Sequence, residues 1–266
     1  MSKDKAGKVY WDQLWTDQSL PRAVDPRMEG PHNYAVRRWH EIFCQALPIS
    51  DAGDRRLLEI GCARSAWLPY SANEFGFEVS GLDYSETGCQ QARQILYNEG
   101  VEGEVILANF FSPPHYMLET FDVVVSFGVV EHFEDTARVL DAFSSFLRPG
   151  GLIVTIVPNM LGVVGFVQRV IDRSVYEMHV PLDRDSLAEA HQSSAFEVVS
   201  CNYFLFANPG VINIENWRSA PFYKIATRVQ SLISRLMWIC EEAMRSSKPG
   251  RQTSSYVICI AKKQCA

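Results

Sequence analysis

No Cys-x-x-Cys pair occurs in this 266-residue chain, and no Cys/His spacing fits a zinc site. The seven cysteines, Cys44, Cys62, Cys89, Cys201, Cys240, Cys259 and Cys265, are scattered and odd in number. That argues against a disulfide framework and for a reducing, cytoplasmic setting. Positive charge is also short: 25 Lys and Arg against 31 Asp and Glu leave a net charge of −6. A basic footprint for nucleic acid is therefore missing at the level of the whole chain. Met1–Lys8 is charged and has no apolar core, so it does not read as a secretory signal. The uncharged stretch Pro149–Gln168 is interrupted by Pro149, Gly150, Gly151, Pro158, Asn159, Gly162 and Gly165. A turn, a buried strand and a short helix are expected there, not a membrane span.

What the chain does have is apolar residues, 47% of the total, enough to bury a core. Strand-like runs alternate with helical spacing. Leu57–Ile60, Phe77–Leu82, Glu104–Leu107, Asp122–Ser126 and Leu152–Val157 are rich in β-branched residues and mostly apolar on both faces, as in a covered parallel sheet. Between them, apolar residues recur every three or four positions in Thr87–Tyr97 and Thr136–Leu147, the second helix stopped by Pro149-Gly150-Gly151. Repeated βα units predict an α/β fold, an open twisted sheet with right-handed crossovers. A helix is predicted over Asn33–Leu47 with Asn33 as N-cap, another over about Phe222–Met244, and strands at about Phe196–Phe204 and Ser255–Ala261. No proline- or serine-rich linker divides the chain, so one domain is expected over 1–266. Residues 1–50 form an N-terminal cap, 51–160 the βα core, 161–192 a lid segment, and 193–266 the last two strands with a helical insertion at about 207–253.

Chemistry concentrates after the first strand. Gly61-Cys62-Ala63-Arg64-Ser65 is a turn that lets backbone approach a ligand. Asp83, 22 residues after Gly61, ends the second strand, where a carboxylate can accept from both hydroxyls of a ribose.

Here the chain resembles the class I S-adenosylmethionine-dependent methyltransferases. The ordered blocks Leu58–Ala63, Gly81–Ser85, Asn109–Phe111, Phe121–Val124, Val130–Phe133, Leu147–Gly151 and Val157–Asn159 carry the resemblance over about residues 57–159. It implies a Rossmann-like, seven-stranded, mostly parallel sheet with helices on both faces and S-adenosyl-L-methionine as cofactor. Carried over by position, Glu59 and Gly61 meet the methionine end, Ala63 lies where the cofactor passes closest, Asp83 holds the ribose and Tyr84 flanks the adenine. Asn109 and Phe110 meet the adenine edge. Ser126, Phe127 and Gly128 line the methionyl part. Glu131 and His132 lie near the reactive methyl group. The usual Gly-x-Gly-x-Gly is here Gly61, Ala63, Ser65, and the acidic residue often found in the adenine block is Asn109. Ser65 is a candidate cap for the next helix, and Arg64 either pairs with the cofactor carboxylate or points into solvent.

His132 and His179 are the candidate general bases. Tyr10, Trp11 and Trp15 are placed to close over the cofactor, and Phe166 and Met178 to line a lid. The apolar side of the helix at 222–244 reads as packed on the sheet, in a homodimer, or as a pocket wall. The expected acceptor is a small, largely apolar molecule methylated at oxygen or nitrogen, with no nucleic-acid partner, no transmembrane segment and no metal. A protein or peptide methyltransferase and a non-catalytic cofactor-binding module are the alternatives. A dinucleotide oxidoreductase would require Gly-x-Gly-x-x-Gly or Tyr-x-x-x-Lys, and neither run is present, nor is a P-loop.

Overall fold

The computed structural model describes residues 3–16, 19–47, 55–244 and 247–265. In chain order the elements are α1 (Lys8–Trp15), α2 (Tyr34–Ala46), β1 (Arg56–Ile60), α3 (Trp67–Phe75), β2 (Glu78–Asp83), α4 (Glu86–Asn98), β3 (Gly103–Leu107) and β4 (Phe121–Phe127). Then follow α5 (Thr136–Ser144), β5 (Leu147–Pro158), α6 (Val163–Ile171), α7 (Arg173–Glu177), α8 (Arg184–Gln192), β6 (Phe196–Phe206), α9 (Tyr223–Ala243) and β7 (Ser254–Lys263). The seven strands form one sheet in the order β3-β2-β1-β4-β5-β7-β6. β1 to β5 pair in parallel, and β7 runs antiparallel between β5 and β6. The strand order reverses between β1 and β4, which opens a crevice at the carboxyl ends of those parallel strands.

Alternation along the strands divides the core in two. Leu57, Val123 and Val125 face one layer with Trp39 and Phe43 of α2 and Tyr70 of α3. Leu58, Ile60 and Val124 face the other with Val139, Leu140 and Phe143 of α5. Both sheet faces are thus covered, which is why the strands read as apolar runs.

Three local expectations are corrected. α5 ends at Ser144, and Leu147 already pairs with Phe121 as the first residue of β5. A strand position and a helix position both ask for a buried leucine there, so spacing alone carried the helix too far. Pro149-Gly150-Gly151 accordingly lies inside β5. Asn33 does sit at the N-cap position of α2, but its side chain makes no cap bond. Its amide donates instead to the carbonyls of Asp25 and Met28 at 2.9 and 2.8 Å.

The third correction concerns α9, whose apolar side neither packs on the sheet nor walls a described cavity, the homodimer alternative being unaffected. Its apolar side faces outward: Ile225, Val229, Leu232, Ile233, Leu236 and Ile239 are exposed, while Ser234 and Glu241 are buried. The inner neighbour of this helix is a stretch of irregular backbone, which needs polar partners. Gly210 N donates to Ser234 Oγ at 3.1 Å, Phe206 N to Glu241 Oε1 at 3.3 Å, and Gln230 Nε2 donates to the carbonyl of Ile212 at 2.8 Å. No helix among the described residues is long and apolar enough to cross a membrane.

Where a side chain does cap, it also ties in the N-terminal segment. Ser85 Oγ accepts from Gly88 N at 3.0 Å to start α4, and donates to Asp12 Oδ1 of α1 at 2.6 Å. Ser85→Ala is expected to cost about 1 kcal/mol and lower the melting temperature by about 2–4 °C. A thermal melt indistinguishable from wild type would show that neither bond contributes.

Candidate active site

β1 runs out at Ile60 and the chain turns at Gly61, with φ at +83°. A Cβ there would lie 2.3 Å from Val129 Cγ2 in the loop after β4, so only glycine fits. Ala63, the departure from the glycine pattern, is accommodated from behind. A Cβ on Gly88 of α4 would stand 2.5 Å from the Ala63 methyl, so Gly88 supplies the room that the turn gives up. Arg64 lines the rim of the same turn and is half-buried. It has φ at +55°, and its guanidinium donates to the Ser19 carbonyl at 2.6 Å.

Asp83 is buried at the end of β2. Its Oδ2 accepts from Ala63 N at 3.0 Å and its Oδ1 from Ser85 N at 2.7 Å, so the turn after β1 and the start of α4 aim one carboxylate. Burial raises its pKa against the pull of those bonds. Glu59 is equally buried and accepts from Ser65 Oγ at 2.6 Å. Burial pushes its carboxyl up to about 8. Ser65 Oγ also accepts from Trp67 N and Leu68 N, from one residue ahead of Ala66, the N-cap position of α3.

Two cavities open above these strand ends. The first, about 570 Å³, is lined by Glu59, Gly61, Ala63, Asp83, Tyr84 and Phe110 among others. The second, about 440 Å³, is bounded by Glu131, Met178, His179, Tyr10 and Asn213. Trp11, Trp67, Phe127, Gly128 and His132 line both, so the chambers adjoin at the end of β4. The N-terminal segment straps across them. Lys5 N donates to the His132 carbonyl at 2.8 Å, and Tyr84 Oη donates to Asp4 Oδ2 at 2.8 Å. Trp11 stacks on Trp15 with centroids 5.8 Å apart, and Trp15 also lines the first cavity.

Of the residues singled out in the sequence, Glu59, Gly61, Ala63, Asp83, Tyr84, Phe110, Phe127 and Gly128 line the first cavity. Three do not. Asn109 is exposed, its Oδ1 accepting from Phe111 N in a local turn. Ser126 is completely buried inside β4, between Ile60 and Thr155 of the neighbouring strands. Glu131 belongs to the second cavity. Met178 lines that second cavity, whereas Phe166 is 70% exposed and lines neither. Trp67 and Asn213 were not anticipated. Trp67 stacks on Phe127 at 5.2 Å and 17°, a floor for both chambers. The insertion does wall the second chamber, through Gly210, Val211 and Asn213 and not through the apolar side of α9.

The two candidate bases lie side by side, ring centroids 4.6 Å apart. His132 Nδ1 faces the Met178 carbonyl at 3.0 Å and His179 Nδ1 the Val175 carbonyl at 2.8 Å. A carbonyl only accepts, so each Nδ1 carries the proton and each Nε2 keeps a lone pair. Burial, reinforced by the neighbouring His179, pushes His132 down to about 3, and burial also lowers His179. Both imidazoles are neutral at pH 7.

A family model described as methyltransferase domain matches residues 32–205. Ubiquinone biosynthesis O-methyltransferase of Thiobacillus denitrificans is 29% identical over 133 residues, 46% of this chain and 56% of that protein. The enzyme of the same name from Nitrobacter winogradskyi is 25% identical over 192 residues, 69% of this chain and 71% of that one. The chain thus spans little more than half the length of the first of these relatives. Among solved structures, the [4+2]-cyclase SpnF superposes with a TM-score of 0.62 at 16% identity, covering all of this chain and 97% of that one.

Proposed function

This chain belongs to the methyltransferase domain family, with a class I S-adenosylmethionine-dependent fold, and from that premise we propose that it methylates oxygen or nitrogen of a small, largely apolar molecule. The observation that carries the reading is the pair of adjoining chambers. One is lined by acids and aromatics on the strand ends, the other is enclosed by the N-terminal segment and the 209–213 stretch, and they share Gly128 and His132.

The first chamber fits S-adenosylmethionine in its donor set. Asp83 has lone pairs left over from Ala63 N and Ser85 N to receive ribose hydroxyls. Glu59, buried and raised, receives the amino-acid ammonium, and Tyr84 and Phe110 flank the adenine. The faces of Trp11 and Phe127 attract a sulfonium. When bound, the sulfonium offers a methyl carbon to which the acceptor's lone pair bonds while the carbon–sulfur pair returns to sulfur and the acceptor's proton departs. The protein's own work is alignment and exclusion of water, worth about 7–11 kcal/mol in well-oriented systems. His132, too weak a base at about 3, leaves His179 as the proton acceptor when no other group assists.

Glu59 gives the cofactor assignment a pH test. Its folded value of about 8 exceeds its ordinary 4.5, so the folded state holds the extra proton between those values. The stability it contributes is complete below 4.5 and is lost as pH rises through 8. The ligand-free melting temperature is expected to fall over that window. Ionisation against a ligand ammonium expels the proton. Calorimetry of S-adenosylhomocysteine binding at pH 7, in buffers of different ionisation enthalpy, is expected to show close to one proton released, and none in Glu59→Gln. Equal release from both proteins would remove Glu59 from the ammonium site. The reaction itself is tested by following S-adenosylhomocysteine formation over a panel of phenols and amines. Tight cofactor binding with turnover only on peptides or proteins, or on nothing, would overturn the small-molecule reading.

A further inference from the structure

Glu131, His132 and His179 have a geometry that methyl transfer by alignment does not use. One donor atom from each lies within 4.8 Å of the other two. Glu131 is 1% exposed, and neither carboxylate oxygen has a hydrogen-bond partner among the described residues. A buried carboxyl group that no donor faces is costly to ionise unless a cation meets it. The two histidines beside it offer no proton. Their Nδ1–H groups are committed to the carbonyls of Met178 and Val175, so both Nε2 lone pairs are free. An imidazole whose far nitrogen donates to a backbone carbonyl is in the arrangement that orients a metal-ligating histidine.

We propose that Glu131, His132 and His179 bind one divalent transition-metal ion of the zinc class on the wall of the acceptor chamber, and that the acceptor is a hydroxyl-bearing molecule whose oxygen completes the coordination. The second clause rests on the reading that this chamber holds the acceptor. Two imidazole nitrogens and one carboxylate select zinc, cobalt, manganese or iron over calcium and magnesium, which take oxygen sets. Three protein ligands leave positions open, as in catalytic zinc sites. Ligand bonds of about 2.0–2.2 Å span donors up to roughly 4 Å apart, so small side-chain rotations close the triangle. The backbone holds the ligands together across 48 residues: Val180 N donates to the Glu131 carbonyl at 2.6 Å, and Lys5 Nζ donates to the His179 carbonyl at 3.0 Å. An acceptor oxygen on the ion is acidified and gives up its proton to solvent, so with the ion in place His179 serves as a ligand and not as the proton acceptor.

The full chain, stripped of metal, is titrated with Co²⁺ and followed by its d–d absorption, then competed with Zn²⁺. S-adenosylhomocysteine affinity is measured on the same samples. One equivalent is expected to bind with imidazole-ligated bands, and His179→Ala and Glu131→Gln are each expected to weaken it at least tenfold. Both variants keep their affinity for S-adenosylhomocysteine, which certifies their fold. A wild-type protein that binds S-adenosylhomocysteine but no Co²⁺ or Zn²⁺ overturns the metal site and leaves the methyltransferase reading standing. Unchanged metal affinity in both variants overturns it too. Binding of the ion without S-adenosylhomocysteine supports the metal site and removes the methyltransferase reading.

Discussion

Asp83→Asn is expected to weaken S-adenosylhomocysteine binding by roughly 10- to 150-fold while the protein stays folded. Hydrogen bonds to a charged group contribute about 1.5–3 kcal/mol, and every 1.4 kcal/mol is tenfold in affinity. The choice of asparagine matters because Asp83 has two employments. Its oxygens orient the Ala63 and Ser85 amides, and so fix the turn after β1 and the entry to α4. Alanine would leave both amides without their acceptor, each costing about 1–3 kcal/mol, and would confound lost affinity with lost stability. Asparagine keeps one acceptor and the shape but surrenders the charge. Calorimetry and a thermal melt on the same variant separate the two effects. Wild-type affinity in a folded Asp83→Asn protein would displace the ribose from the end of β2.

Trp39→Ala is expected to lower stability by about 3–5 kcal/mol, a drop of roughly 6–20 °C in melting temperature. Trp39 is the hub of an aromatic cluster: its ring centroid is 4.3 Å from that of Phe204, 5.4 Å from Tyr256, 6.2 Å from Phe43 and 6.3 Å from Phe127. The cluster joins α2 to β4, β6 and β7, and its upper members Trp67 and Phe127 form the floor shared by the two chambers. Cofactor affinity should therefore fall along with stability, and Trp39→Phe should restore most of both. A melting temperature within 2 °C of wild type would mean that the neighbouring rings close over the void.

The central strands were legible in the sequence because strands covered on both faces cannot hide their apolar runs; the edge strands β3 and β6 are partly exposed, and β5 begins at Leu147, ahead of the expected Leu152. Gly61 and Asp83 were legible for a related reason: a strand end at a fixed distance from a turn is a short-range pattern. Spacing was silent on contacts made far along the chain. Glu131 and His179 are brought together by the packing of the segment after α7 against the loop after β4, and neither segment's own pattern records the other. Amphipathicity named the two sides of α9 correctly but not which one turns inward. That depended on the backbone beneath it, the end of β6 and the turn after it, whose Phe206 and Gly210 amides donate to Glu241 and Ser234. Asn109 lies outside the lining of the first cavity, its short amide held by its own backbone.

The position of β7 bears on how the molecule is made. Residues 254–263 lie between β5 and β6, so the outermost strand cannot join the sheet until a segment synthesised some fifty residues later has left the ribosome. Until then β5 carries an open edge, the kind of surface on which nascent chains pair with the wrong partner. The nascent protein therefore waits for its late strand with the cofactor half of the sheet already buildable.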